Sequence, residues 1–462
     1  MYPEATSLEI KKACSHKEYL RLAIPLVISG ISTPLLGAVD TAVVGRMPDP
    51  ISIGGVAIGA VIFNTMYWLL GFLRVSTSGF TSQAEGLKDE REILLTFFRP
   101  TIIAILFGLL FLFLQEPILH ISLMLIGGSE DVSGIAASYF TIRIWGAPFI
   151  LLSYVMIGWL IGMGKVRLAL ATQVVMNVLN IFLDFIFVLG LEMGVTGVAY
   201  ATLISEVTAV LFGAVVIYRS IKPGLKEIRL RMLTELEPLQ KMFKVNRDLF
   251  LRTICLLAMT ILFTSKGASM GEVILAGNAI LLQIHYMMAY LFGGFANASS
   301  ILVGRSIGSG NRLLYTRAFH LSAQWGLGSA AFLSLVMVLW GQETVSLFTT
   351  IEAVRAAAQD QLIWMVLFPI LGFWGLQLEG IFSGATQAEP IRDSILLALL
   401  LFLPAIWLTV PILGNSGIWL SFILFSFGRS LFLSLYIPKL GKKSFKHEGA
   451  GSMSRSLMSM KT

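Results

Sequence analysis

The chain has 462 residues, of which 56% are hydrophobic and 13% are charged, and its mean hydropathy is +0.80. Soluble domains carry about 25% charged residues, so most of the surface of this protein does not face water. The formal net charge of +7 does not indicate a nucleic-acid partner, because the cytoplasmic loops of membrane proteins are ordinarily basic. The composition therefore excludes a soluble globular domain and indicates an integral membrane protein.

Long apolar stretches divide the chain into membrane spans. Residues 50–73, 144–164, 273–304, 318–342 and 394–428 contain no Asp, Glu, Lys or Arg. A span needs about 20 mostly apolar residues, and backbone groups in lipid must be bonded internally, so these stretches are predicted to be helices. We predict twelve spans, at residues 20–44, 53–77, 98–116, 136–159, 168–190, 195–218, 246–268, 274–300, 318–341, 360–383, 393–412 and 416–437.

Positive charges orient these spans. Of the 34 Lys and Arg residues, 27 fall at one set of span ends and four lie inside spans. Only Arg46, Lys266 and Arg355 lie at the opposite ends. Cytoplasmic loops carry the excess of Lys and Arg, so both termini are predicted to be cytoplasmic. The polar first twenty residues show no cleavable signal peptide, and Cys14 and Cys255 show no disulfide or metal-ligand pattern.

The two halves of the chain repeat each other. Residues 57–67 resemble residues 276–286 at an offset of 219, and Gly197 corresponds to Gly417 at an offset of 220. A near-constant offset predicts two pseudo-symmetric six-helix bundles of the same orientation. The predicted domains are an N-terminal bundle at 1–218, a cytoplasmic linker at 219–245, a C-terminal bundle at 246–440 and a disordered tail at 441–462.

Ionisable groups inside a membrane are costly and usually mark function. The rise of a helix places Asp40 in span 1 and Asp184 in span 5 about 6–9 Å inside the outer leaflet. Oxygen-rich and polar groups lie at similar depth in the same bundle, namely Asn180, Thr202, Tyr139 and Arg143. Such a set can hold a proton or a small hard cation. The alternatives are a structural ion pair between Asp40 and Arg143 and a hydrogen-bonded brace at Asp184 and Asn180.

Other residues leave function and packing open. Glu206 lies near the midplane, where it is either functional or a polar contact between helices. His285 lies at similar depth, where a lone histidine is more often a packing residue than a functional one. The positions of Asp40 and Asp184, shifted by 219–222, fall on residues 259–262 and 403–406, which contain no acid. The C-terminal bundle would then mainly form a wall of the binding cavity. Met287, Met288 and Phe292 are candidates for lining that cavity or for packing.

Three segments carry a family resemblance. Residues 158–202 read GWLIGMGKVRLALATQVVMNVLNIFLDFIFVLGLEMGVTGVAYAT, residues 34–47 read PLLGAVDTAVVGRM, and residues 301–311 read ILVGRSIGSGN. Together they resemble the multidrug and toxic compound extrusion (MATE) family over essentially the whole chain. Because the second half has no acids that match Asp40 and Asp184, the chain resembles the branch of DNA-damage-inducible protein F.

The resemblance implies a twelve-helix antiporter with a central cavity that exports amphipathic, often cationic compounds without a cofactor. It implies coupling to inward protons, or to sodium bound at the same oxygens of Asp40, Asn180, Asp184 and Thr202, with Tyr139 taking part. Pro25 and Pro34 fit a first helix that can bend, because proline removes a backbone hydrogen bond. We expect a monomer in the plasma or inner membrane, with lipid and small molecules as its partners and no nucleic acid.

Other functions in membranes were weighed against export. A flippase for lipid-linked intermediates would need a cationic cavity, whereas intramembrane arginines are few here. An intramembrane aspartyl protease is disfavoured because Asp184 lies in Leu-Asp-Phe and no Gly-x-Gly-Asp segment occurs. A channel is disfavoured because the sequence shows no filter-like loop.

The topology can be checked by cysteine labelling. In a chain whose Cys14 and Cys255 are replaced by serine, Thr234→Cys is expected to resist an impermeant maleimide in intact cells, because the linker is predicted to be cytoplasmic. Thr349→Cys, at a predicted outer end, is the matched control and is expected to react. Ready labelling at position 234 from outside would contradict the orientation.

Overall fold

A computed structural model of the chain describes residues 13–45, 50–127, 129–221 and 230–445, without the side chains of residues 33–42, 50, 221 and 230. The side chains of Asp40 and Pro34 lie outside the described residues, as do the centre of the predicted linker and the predicted tail from residue 446 onward.

Within these ranges the chain is almost wholly helical. The α-helices are α1 His16–Val44, α2 Pro50–Leu69, α3 Phe72–Leu87, α4 Glu90–Phe113, α5 Gln115–Ile126, α6 Glu130–Arg143, α7 Ala147–Gly162, α8 Val166–Asp184, α9 Gly194–Ile221, α10 Leu230–Leu233, α11 Leu236–Ala268, α12 Glu272–Gly308, α13 Arg312–Ser346, α14 Glu352–Gln359, α15 Leu362–Gly384, α16 Ala388–Leu413, α17 Asn415–Ser434 and α18 Ile437–Ser444. A 3₁₀ turn, Ile144–Gly146, joins α6 to α7, and a π-helical segment, Phe185–Gly190, follows α8.

Eleven helical segments of the described chain are long and apolar enough to cross a membrane, and they contain predicted spans 2 to 12. The first predicted span lies within α1, which has 29 residues. Several helices are longer than predicted. Predicted span 8 covers 274–300, whereas α12 continues to Gly308 and includes Arg305. Hydropathy marks the thickness of the hydrocarbon, whereas helical hydrogen bonding continues into the polar interface.

The Cα positions divide the chain into two compact units. The N unit comprises residues 28–85 and 89–243, and the C unit comprises residues 1–27, 86–88 and 244–462. Three of the described helices contribute to both units: α1 divides after Val27, α3 after Glu85 and α11 after Phe243. The predicted domain boundaries at 218 and 245 remain a prediction.

The start of α1 is held by hydrogen bonds within the C unit. The fully buried Tyr19 donates its hydroxyl to the Phe295 carbonyl at 3.0 Å, and it lies 2.8 Å from the Ser299 hydroxyl. Arg317, also buried, donates its Nε to the Cys14 carbonyl at 2.9 Å. Burial raises the pKa of the Cys14 thiol to about 11, so this cysteine stays protonated and unreactive at neutral pH.

Paired glycines bring two helices together in each unit. In the N unit, Gly158 and Gly162 of α7 lie against the carbonyls of Arg74 and Ser78 in α3. A Cβ at either glycine would come within 3.0 Å of those oxygens. Because lipid gives no hydrophobic drive for helix association, such small residues allow the close packing that holds helices together.

The C unit repeats this contact at a fixed offset. Gly380 and Gly384 of α15 lie against the carbonyls of Ala296 and Ser300 in α12. Each of these four residues lies 222 positions after its counterpart in the N unit. The repeat inferred from sequence therefore extends to the backbone packing of corresponding helices.

Valine in place of Gly158 or Gly380 is expected to destabilise the unit that contains the substitution. Gly158→Val and Gly380→Val force a side chain into backbone, and we expect each to cost about 1–3 kcal/mol and to lower the melting temperature in detergent. Gly134→Val and Gly328→Val are the matched controls, because a Cβ there meets nothing within 4 Å. Equal melting temperatures for all four variants would contradict this packing.

Candidate functional site

Most residues that the sequence singled out in the first half lie on three helices of the N unit. Asn180 and Asp184 belong to α8, Thr202 and Glu206 to α9, and Tyr139 and Arg143 to α6, as a set of three pairs each spaced by one turn. Helix α9 packs against both α8 and α6. The structure therefore brings these residues into one bundle of packed helices, while the Asp40 side chain lies outside the described residues.

The end of α8 presents a buried amide and a buried carboxylate. Asp184 is 0% exposed and Asn180 is 2% exposed. Asn180 donates its Nδ2 to the Thr202 hydroxyl at 3.5 Å, and that hydroxyl donates to the Val198 carbonyl at 3.0 Å. An oxygen-rich set of this kind is suited to hold a proton or a small hard cation.

The helix changes form directly after Asp184. Residues Phe185–Gly190 are π-helical, and the Leu191 amide donates to the Ile186 carbonyl at 2.8 Å. Widened turns of this kind occur preferentially at functional sites, because they re-aim the neighbouring side chains. The carboxylate therefore lies at the junction of two helical geometries, which no sequence pattern indicated.

Helix α8 also contacts the helix that carries Asp40. The buried Asn177 donates its Nδ2 to the Ser32 hydroxyl at 3.2 Å, within the N unit. Ser32 precedes Asp40 by eight residues, or about two turns of α1. Pro25 is half-buried in α1, and the helix is continuous through it and through the backbone of Pro34. A bend at these prolines stays a prediction.

Arg143 has partners that the sequence did not indicate. Its Nη1 donates to the Tyr139 hydroxyl at 2.9 Å, and its Nη2 lies 3.9 Å from Glu206 Oε1. The guanidinium carbon also lies 4.7 Å from the centre of the Phe63 ring. Among the described residues, Arg143 therefore pairs with Glu206. The alternative of an ion pair between Asp40 and Arg143 stays a prediction, because the Asp40 side chain lies outside the described residues.

The candidate residues of the second half lie apart from this set, on α12 in the C unit. The His285 ring packs against Phe368 and Phe422, with centroid separations of 4.2 and 4.8 Å. Met288 and Phe292 are buried, and Met287 is 37% exposed. His285, Met288 and Phe292 thus lie in the interior of the C unit, whereas Met287 is exposed, and a place for any of them in a substrate cavity stays a prediction.

A half-buried ion cluster in the C unit was not indicated by the sequence. Glu379 forms ion pairs with both Arg252 and Arg429, the latter at 2.8 Å. These pairs join Glu379 to residues 50 and 127 positions away in the chain, and no local sequence pattern reveals such contacts.

A family profile described as MatE matches residues 25–186 and 249–412, one segment in each half of the chain. The chain therefore belongs to the MatE family of membrane transporters, and it is a transporter and not an enzyme. It is 35% identical to DNA damage-inducible protein F of Escherichia coli strain K12, over 93% of this chain and 95% of that protein. The predicted family and branch are thus confirmed.

More distant relatives match over similar lengths. The chain is 25% identical to the chloroplastic protein DETOXIFICATION 44 of Arabidopsis thaliana, over 88% of this chain and 79% of that protein. It is 20% identical to the multidrug export protein MepA of Staphylococcus saprophyticus, over 88% of this chain and 90% of that protein.

Solved structures share the fold. An outward-facing multidrug resistance MATE transporter superposes with a TM-score of 0.83 at 22% identity, covering 95% of this chain and 100% of that one. A transporter of the same superfamily from Pyrococcus furiosus, described as having a binding pocket of reverse polarity, gives 0.82 at 21% identity, over 95% and 99% of the chains. The predicted all-helical fold with twelve spans is confirmed.

Proposed function

We propose that this protein exports amphipathic, often cationic organic compounds in exchange for inward protons, with Asp40, Asn180, Asp184, Thr202 and Tyr139 as the coupling site. The observation that carries the proposal is the buried carboxylate of Asp184 beside Asn180, which contacts Thr202. Relatives that cover most of the chain include proteins named for multidrug export, which supports the substrate class.

The exchange follows from competition at the carboxylates. In the deprotonated state, their negative charge favours an organic cation bound nearby. Proton uptake removes that charge, so the cation binds more weakly and leaves to the outside. By linkage, the factor by which protonation weakens cation binding equals the factor by which the cation weakens proton binding. A ligand that did not distinguish the two states would drive nothing.

The available work limits the gradient that one proton can sustain. One proton that moves down about 100 mV and about one pH unit yields about 3.7 kcal/mol. That energy corresponds to a concentration ratio of about 500 for a neutral compound at equilibrium. The energy of one proton therefore sets the scale of the gradient that exchange of a neutral compound can sustain.

Sodium is the alternative coupling ion at the same residues. Carboxylate, amide and hydroxyl oxygens are the ligands that hard cations take, so Asp40, Asn180, Asp184 and Thr202 suit a sodium ion as well as a proton. Separate proton and sodium gradients distinguish the two, and both versions place coupling in the N unit.

Flipping of lipid-linked intermediates is less well supported. An anionic pyrophosphate needs cationic groups, whereas Arg252 and Arg429 are both engaged with Glu379, and Arg143 lies beside Glu206. We place the exporter in the plasma or inner membrane as a monomer. The distribution of Lys and Arg supports the proposal that both termini lie in the cytoplasm.

Replacement of Asp40 tests the coupling role. The Asp40→Asn protein is expected to remain folded in the membrane. Its rate of efflux driven by a proton gradient is expected to fall at least about tenfold, because the amide cannot exchange a proton. The measurement is efflux of a fluorescent organic cation from reconstituted vesicles under separately imposed proton and sodium gradients. Asp131→Asn, at an exposed acid of α6, is the control. Normal driven efflux by well-expressed Asp40→Asn protein would remove Asp40 from coupling.

Substrate affinity is expected to depend on pH. In sodium-free buffer the affinity of the parent for an organic cation is expected to fall as the pH is lowered, because protonation neutralises the coupling carboxylates. For Asp40→Asn the affinity is expected to be nearly independent of pH, because the amide takes up no proton at the proposed coupling position. If the affinity of the parent for the organic cation is independent of pH but changes steeply with sodium concentration, the same residues would instead be assigned to sodium coupling.

A further inference from the structure

A cation of the protein itself occupies an aromatic enclosure in the N unit. The Arg143 guanidinium carbon lies 4.7 Å from the centre of the Phe63 ring and 5.7 Å from that of Tyr139. Both distances fall within the range of a cation–π interaction, about 6 Å. The Phe63 ring is fully buried and contacts the Tyr67 ring at 5.6 Å and the Tyr139 ring at 6.2 Å. Three aromatic rings therefore define one side of a cation site.

A buried carboxylate supplies the charge of this site. The Glu206 side chain is 4% exposed, and its ionic contact is with Arg143 at 3.9 Å, beyond hydrogen-bonding distance. Its second oxygen, Oε2, accepts no hydrogen bond from the part of the chain that the structure describes. A buried carboxylate of this kind is costly unless a cation neutralises it, and Arg143 does so only at long range.

The backbone leaves room for that carboxylate. Glu206 Oε2 lies against Gly146, in the 3₁₀ turn between α6 and α7, and a Cβ at that position would collide with the oxygen. A side chain at position 146 would therefore displace the carboxylate of Glu206, which lies where α9 packs against α6 and α7.

Among the residues that the structure describes, Arg143 has few bonding partners. Its hydrogen bond goes to the Tyr139 hydroxyl, while its Nε finds no partner within the described chain. Its side chain is 14% exposed, compared with 4% for Glu206, so Arg143 is the more accessible residue of the pair. An arginine with one hydrogen bond and a long ion pair is easier to displace than one in a bidentate pair.

We propose that the Arg143 guanidinium occupies a substrate-binding site when no substrate is bound. An organic cation then displaces it and binds among Phe63, Tyr139 and Glu206. Aromatic faces and a desolvated carboxylate are the chemistry that recognises quaternary and other soft organic cations. The displaced guanidinium moves away when substrate enters and returns when substrate leaves. Arg143 therefore lowers the affinity of the site and keeps Glu206 neutralised when the site is empty. This inference rests on the proposed export of organic cations and identifies their recognition site.

The test is direct binding of tetraphenylphosphonium, a permanent organic cation without a titratable group, to the full chain in nanodiscs at fixed pH. Arg143→Met removes the competing cation and is expected to tighten binding about three- to thirtyfold, the range of a cation–π contact. Glu206→Gln is expected to weaken binding at least about tenfold, and Phe63→Leu about threefold. Arg252→Met removes an arginine from the ion cluster of the C unit and is the matched control, with unchanged affinity expected.

Two further measurements keep the proposal testable if Arg143→Met is unstable. Tetraphenylphosphonium is expected to raise the melting temperature of Arg143→Met more than that of the parent, because the ligand restores the missing positive charge. The double variant Arg143→Met/Glu206→Gln is expected to lose the gain in affinity, since the two residues act on one site. Unchanged or weaker binding by Arg143→Met, together with unchanged binding by Glu206→Gln, would make the pair purely structural and overturn the proposal.

Failure of the recognition site and failure of export remain distinguishable. The recognition site is judged from binding alone, without any ion gradient. Export is judged from transport by the parent and by Asp40→Asn, which retains Phe63, Arg143 and Glu206. Loss of driven transport in Asp40→Asn with normal effects of Arg143→Met supports both proposals. Transport that depends on Asp40 with no effect of Arg143→Met or Glu206→Gln on binding overturns only the recognition site.

Discussion

Hydrocarbon offers no hydrogen bonds, so every polar group that lies in the membrane must find its partner inside the protein. The backbone meets this requirement by forming helices over nearly all of the described chain. Hydroxyl side chains meet it in the same way. Thr172 and Ser205 each donate to the carbonyl four residues earlier, at 3.0 and 2.7 Å. Groups that cannot be satisfied within their own helix must be paired across helices, and those groups lie at the ion clusters and the proposed sites.

Ion pairs in the two units satisfy this constraint to different degrees. In the C unit, Glu379 lies between Arg252 and Arg429, so both of its oxygens contact a guanidinium. In the N unit, Glu206 has Arg143 at 3.9 Å and an oxygen without a hydrogen bond among the described residues. A closed cluster resists rearrangement, because breaking it exposes buried charge. A loosely held pair can exchange its cation, which is the property that a transporter of organic cations needs.

The repeat preserves the scaffold and not the chemistry. Gly158 and Gly380 make the same close contact between corresponding helices, 222 residues apart. At the same offset, the fully buried Asp184 corresponds to Ile406, which is 1% exposed. Both positions are interior, but only the N unit has an ionisable group there. The two halves therefore share helix packing, while at this pair of positions the buried acid is present in the N unit and is replaced by isoleucine in the C unit.

The sequence by itself determined the helical class, the number of spans, the repeat and the residues that share a helix face. These follow from local rules, because hydropathy measures the bilayer and a turn of helix fixes which side chains lie together, as for Asn180 and Asp184. Only the tertiary structure decided that Arg143 pairs with Glu206 and lies over Phe63, and that α8 gives way to a π-helical segment after Asp184. Those contacts join residues 63 and 80 positions apart, and they depend on the rotation of each helix about its axis. In a chain whose interior helices are apolar on nearly every face, no periodicity in the sequence encodes that rotation.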